Sequence, residues 1–138
     1  MKGEYQHTVD AKGRMFVPAR LRDELGERFT VTKGLDGCLA AYPAAEWDRL
    51  EANIRALPMS KARDLQRFFF SAAADVELDS QGRILLPANL RTYAGIGKDV
   101  VVIGASGHAE IWDAARWTAY NSAITDDRIA AAMEDIGF

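Results

Sequence analysis

The stretch VDAKGRMFVPARLR, residues 9–22, opens with the residues of a tight turn and closes with those of a helix. Asp10 can begin a four-residue turn, Gly13 supplies the place where φ turns positive, and Arg14 follows at once. The run MFV leans to β-structure. Pro18 suits the first position of a helix carrying Leu21 and Arg22, and Gly26 suits its end. The same wording returns as LDSQGRILLPANLR, residues 78–91. Asp79, Gly82, Arg83, Pro87, Leu90, Arg91 and Gly95 repeat Asp10, Gly13, Arg14, Pro18, Leu21, Arg22 and Gly26 at a constant spacing of 69. One insertion then moves the spacing to 70, matching Val31 with Val101, Gly34 with Gly104, Gly37 with Gly107 and Trp47 with Trp117. A register kept across one insertion marks an internal duplication.

Around these stretches each copy has the same plan. EYQHTV and RMFV flank the first turn as short strands. FTVT and DVVVI are strands, followed by the turns GLDG and GASG, the strands CLAAY and AEIW, and a helix bearing Trp47 or Trp117. Between the copies, Trp47, Leu50, Ile54 and Leu57 recur at helical spacing, and Pro58 ends that helix. Ser60 can cap another, with Leu65, Phe68, Phe69 and Ala72 on one face and Lys61, Arg63 and Arg67 elsewhere. The tail from Asp113 reads as helical through Trp117, Tyr120, Ile124, Ile129, Met133 and Ile136. A single copy of about 45 residues is too small to bury a core of its own. The two are expected to pack face to face about a pseudo-twofold axis.

The 138 residues, 49% apolar and 27% charged, fit a soluble globular chain. The one cysteine, Cys38, leaves no intramolecular disulfide or thiolate zinc cluster to build and suits a reducing compartment. MKGEYQHTVD lacks a signal peptide's apolar segment, and no apolar run approaches the roughly 20 residues of a membrane span. A cytoplasmic location is expected. The net charge of −3 hides a gradient. Residues 1–33 carry seven Lys and Arg against five Asp and Glu, while residues 106–138 carry two against six. A basic patch on an acidic body is compatible with that asymmetry.

Folding accounts for Asp10, Gly13, Pro18 and Gly26 and for their counterparts. It does not account as well for Arg14 and Arg83, because a strand leaving a bulge favours an apolar or β-branched residue. One reading is an ion pair across the turn, Asp10 with Arg14, although exposed pairs stabilise little. The other is an arginine on a rigid tip, reaching a guanine edge or a phosphate.

With the D-x-x-G-R hairpin, the P-x-x-L-R helix, the duplication and GLDGCLAAYP…W, the chain resembles the MraZ family over about residues 3–120. Members of that family are transcriptional regulators of the bacterial division and cell wall gene cluster. The resemblance implies a mainly β fold with flanking helices, a tandem AbrB-like swapped-hairpin or double-split β-barrel. It also implies ring-like homo-oligomers and a promoter DNA partner with repeated guanine-rich boxes, on the nucleoid, through repression. By motif position, Arg14 and Arg83 inherit the DNA-contacting role and Asp10 and Asp79 the acidic support, with Gly13 and Gly82 shaping the turns. Lys12, Arg20 and Arg22 join the expected contact set. Because Gln81 and Asn89 stand where Lys12 and Arg20 do, the first copy is expected to dominate. The expected division is residues 1–58 for the first repeat with its helix, 59–75 for a connecting helix, 76–120 for the second repeat and 121–138 for a helical tail.

Rival readings are weaker. VVVIGASGHAE has Glu110 where a dinucleotide site needs its third glycine, and no βαβ unit follows. His108-Ala109-Glu110 mimics the H-x-E of zinc deaminases, which need a later P-C-x-x-C pair. His7 and His108 occur singly, and Cys38 reads as a buried strand residue, so no catalytic set, cofactor or small-molecule substrate is expected. The remaining alternative is an oligomeric protein-interaction module of the same fold.

Overall fold

A computed structural model describes residues 1–138. The duplicated turn occurs twice, but the strands it joins look elsewhere for partners. Strand β1 (Glu4–Thr8) leads into the first turn and β2 (Arg14–Phe16) leaves it, yet only an isolated bridge, Val9 to Met15, links the two sides. β2 is too short to satisfy β1. Helix α1 (Ala19–Leu25) follows, then β3 (Arg28–Lys33), a 3-10 turn (Leu35–Gly37) and β4 (Leu39–Tyr42). Helices α2 (Ala44–Arg55) and α3 (Met59–Phe70) lead to the second copy. There β5 (Ala74–Glu77), β6 (Arg83–Leu85), α4 (Ala88–Tyr93), β7 (Asp99–Ala105) and β8 (His108–Asp113) repeat the order. Helices α5 (Ala114–Ala123) and α6 (Asp126–Glu134) end the chain.

Every strand outside the central hairpins pairs with the other copy. β1 lies antiparallel to β7, Tyr5 opposite Val102, and β5 lies antiparallel to β3, Val76 opposite Phe29. β4 meets β8 with Ala40 opposite Glu110, and the six strands run β1-β7-β8-β4-β3-β5. β2 and β6 form a separate two-stranded ribbon, Met15 opposite Ile84. The copies therefore interleave instead of packing face to face as expected. An unpaired backbone edge in the core is costly, and each copy holds the other's missing edge. The arrangement is the expected swapped hairpin, but β1 and β5 remain edges, so the sheet is open and no barrel closes. Helices hold more residues than strands, while the strands hold the core.

The core also corrects the repeat alignment. Val31 pairs with Ala41 and Val102 with Ile111, so Val31 is matched by Val102, not Val101. Two residues are added before β7 and one is removed in its turn, which restores the spacing by β8. Matched core positions then trade volume across the axis: Phe29 for Val100, Leu25 for Ala94, Leu39 for Ala109 and, in reverse, Ala41 for Ile111. Large against small fills the shared space to interior density. Identical copies would overfill some places and leave holes in others.

Pro18 and Pro87 stand one residue before α1 and α4, at the cap. Pro58, not Ser60, takes that place for α3, which packs on α2 through Ile54, Ala62 and Phe69. The second copy's first strand begins at Ala74, two residues ahead of the expected boundary at 76. The tail is two helices: Ile124 leaves helical geometry, and the Thr125 hydroxyl accepts from the Arg128 N–H at 3.1 Å to start α6. GASG is the tight turn of the β7–β8 hairpin. No helix is long and apolar enough to cross a membrane.

Candidate nucleic-acid interface

Asp10 organises the first turn. Its Oδ1 accepts from the N–H of Lys12 at 3.0 Å and of Arg14 at 2.9 Å, while its Oδ2 accepts from Arg14 Nε at 2.8 Å. Asp79 repeats this with Gln81, Arg83 and Arg83 Nε at 2.9, 2.9 and 2.8 Å. Hydrogen bonds from the arginine backbone, then its side chain and the neighbouring N–H, hold both carboxyls below the usual carboxylate range. Gly13 and Gly82 take φ of 85° and 80°, the bulge position anticipated from the sequence. The expected Asp10–Arg14 ion pair is present. The ion pair engages the arginine at Nε, side-on, which leaves its Nη nitrogens without an intramolecular partner.

Each turn is completed by the other copy. Val17 N–H donates to Gly82 O at 3.0 Å, and Leu86 N–H donates to Gly13 O at 2.8 Å. Arg22 donates from Nε to Val17 O, and its guanidinium lies where a Cβ on Gly82 would be. Arg91 donates from Nε to Leu86 O, and its guanidinium lies over Gly13. Arg22 thus belongs to the second tip, not the first. Arg20 is exposed beside Met1, Lys2 and Glu24, in a depression of about 740 Å³ that no residue of the ribbon or its turns lines. The first tip therefore gathers Lys12, Arg14 and Arg91, and the second gathers Arg83 and Arg22. Arg91 was absent from the expected contact set; its match with Arg22 in the repeat was the available signal.

The ribbon's two arginines are not equivalent. Arg14 lies opposite Leu85 and its side chain is 36% exposed; Arg83 lies opposite Phe16 and is 21% exposed. The Arg83 guanidinium sits 6.0 Å from the centre of the Phe16 ring, within reach of the ring's negative face. Arg14 has no such cover and is the freer cation.

Elsewhere, polar groups serve the fold. Cys38 is buried against the Leu35 carbonyl, and burial pushes its thiol up to about 12. Glu110 accepts from Trp112 Nε1 at 3.0 Å and pairs with His108 at 3.3 Å. Its burial alone would raise its pKa, but those hydrogen bonds outweigh burial and hold it below the usual range.

Two matches decide the family. A sequence model described as "MraZ protein, putative antitoxin-like" fits residues 1–68 and again 69–138. The chain belongs to the MraZ family. Proteins named transcriptional regulator MraZ resemble it along nearly their whole length. That of Heliobacterium modesticaldum is 60% identical over 136 residues, 97% of this chain and 92% of the relative. Those of Clostridium beijerinckii and Acetivibrio thermocellus are 54% and 51% identical, each covering 98% of this chain and 97% of the relative. The MraZ match divides at residue 68, inside α3, between two copies whose strands share one six-stranded sheet.

Proposed function

We propose that this chain regulates transcription by binding DNA through the outer face of the β2–β6 ribbon and the two turns beside it. One observation carries the reading. Asp10 holds Arg14 by Nε, which orients the planar guanidinium and leaves the two Nη groups to meet O6 and N7 of a guanine. A two-stranded ribbon fits the major groove, and a pseudo-twofold ribbon suits the duplex's own local symmetry. Lys12, Arg91 and Arg22 supply positive charge at its ends for phosphates, and Arg83 is held at the second turn as Arg14 is at the first. The relatives are named transcriptional regulators, which supports the reading.

At finer detail, we read the chain as a cytoplasmic, nucleoid-bound, non-enzymatic repressor of the division and cell wall genes, acting on repeated guanine-rich boxes. A ring of copies would place several ribbons on several boxes, and such linkage raises avidity by roughly 10²–10⁴. The test is a mobility-shift titration on DNA upstream of the chain's own coding sequence, with the parent and Arg14→Ala. Losing a bidentate arginine–guanine pair should weaken specific binding by about 5–150-fold, with little change in melting. Specific affinity within twofold of the parent would remove Arg14 as reader. A second reading, a protein-interaction module, is favoured by exposed Ile129 and Met133 on α6; it predicts no shifted band.

A further inference from the structure

The outer face of the ribbon carries only four side chains, and two of them are large and apolar. Met15 and Ile84 point inward and are buried. Outward stand Arg14 opposite Leu85 and Phe16 opposite Arg83, with Phe16 45% and Leu85 58% exposed. The core does not use these two side chains, and a solvent-facing strand position is ordinarily polar. Two copies of the chain meeting on this face would crowd four arginines into one small contact, which argues against self-association here. The charge points to a polyanion, and the apolar pair asks what such a partner offers that is not polar.

The DNA major groove offers one apolar feature, the C5 methyl of thymine, which Phe and other apolar side chains contact. Spacing supports the match. Successive outward residues of a strand lie about 6.7 Å apart, or two rises of roughly 3.4 Å in the duplex. Cross-strand neighbours lie about 5 Å apart, so the four side chains span about two to three base pairs. We propose that Phe16 and Leu85 read thymine methyl groups in the major groove, beside the base pairs addressed by Arg14 and Arg83. This rests on the DNA-binding reading above and adds a specificity that arginine alone does not provide. The copies differ at this position, so the two half-sites differ too: the Phe16 ring reaches further and is backed by Arg83, whereas Leu85 stands clear.

The probe is a duplex selected by the parent protein from a random library, resynthesised with deoxyuridine for each thymine in turn. Each methyl in contact should cost the parent about fourfold in affinity when removed. Phe16→Ala and Leu85→Ala should each abolish the effect at one thymine, and the double variant should discriminate less than twofold. Phe16→Leu should keep discrimination. Arg14→Ala should weaken the thymine and uracil duplexes by the same factor. If uracil leaves the parent's affinity unchanged while Arg14→Ala still loses it, methyl reading fails and the DNA-binding reading stands. If the double variant discriminates like the parent, or changes subunit number in light scattering, methyl reading is likewise overturned. If the parent selects no duplex, both readings fall together.

Discussion

At Gly82 a missing side chain serves two ends, backbone geometry and room for Arg22. Gly26 has a similar φ, 84°, but its nearest neighbour for an added Cβ is the Arg28 carbonyl at 3.7 Å. With ψ at 175°, Gly26 lies in a region open essentially to glycine alone, where a side chain costs about 1–3 kcal/mol. Gly26→Ala should lose about that much in urea unfolding, and Gly82→Ala should lose more in the parent than in an Arg22→Ala background, because in the parent Arg22 must also move. Equal losses in the two backgrounds would show that Arg22 is not seated on the turn. His7 is the other informative single residue. Burial, then the Arg22 charge, holds its imidazole below the ordinary value of 6.5. Below that pH the unfolded chain takes up a proton that the folded chain refuses, so stability is lost as pH falls from neutral. His7→Gln should flatten the profile between about pH 7.5 and 5.5 relative to the parent. Parallel profiles for the two proteins would exclude this linkage.

Among the elements, the two tips differ in charge and should differ on DNA. Each phosphate neutralised contributes about −0.9 to the slope of log affinity against log salt. Lys12→Gln and Arg91→Gln share one tip, and each should make the slope shallower by about that amount per tip engaged. Arg20→Gln, beside the amino terminus, should leave the slope where it was. Gln81→Lys should steepen it, since the second tip lies at the other end of the same ribbon. A slope that responds to Arg20 but not to Arg91 would reverse the placement of α1 and α4 relative to the DNA. The helices carry the arginines, but the turn that each arginine joins belongs to the opposite copy.

For the molecule as a whole, interleaving makes the copies interdependent. β1 has its ladder on β7, β5 on β3, and β2 on β6, so half the chain leaves those edges bare. Residues 1–72 and 73–138 made separately should show no cooperative thermal unfolding as monomers, and mixing them should restore a single transition. A half that unfolds cooperatively while monomeric by light scattering would contradict this interdependence.

Much of this was legible in residue order alone. A turn that begins with Asp10 and needs positive φ at Gly13 is a local matter, because its hydrogen bonds run between residues at most four apart. The duplication is legible for the same reason, and so is the pairing of Asp10 with Arg14. Which strand lies beside which is a different kind of fact. β1 and β2 flank a hairpin turn, yet their ladders form with β7 and β6, since only there can each edge and each core volume be satisfied together. That long-range choice sent Arg22 to the second turn and Arg91 to the first, and it turned Phe16 and Leu85 outward on one face with both ribbon arginines. Local chemistry was written in the chain; the company each arginine keeps depended on packing between distant segments.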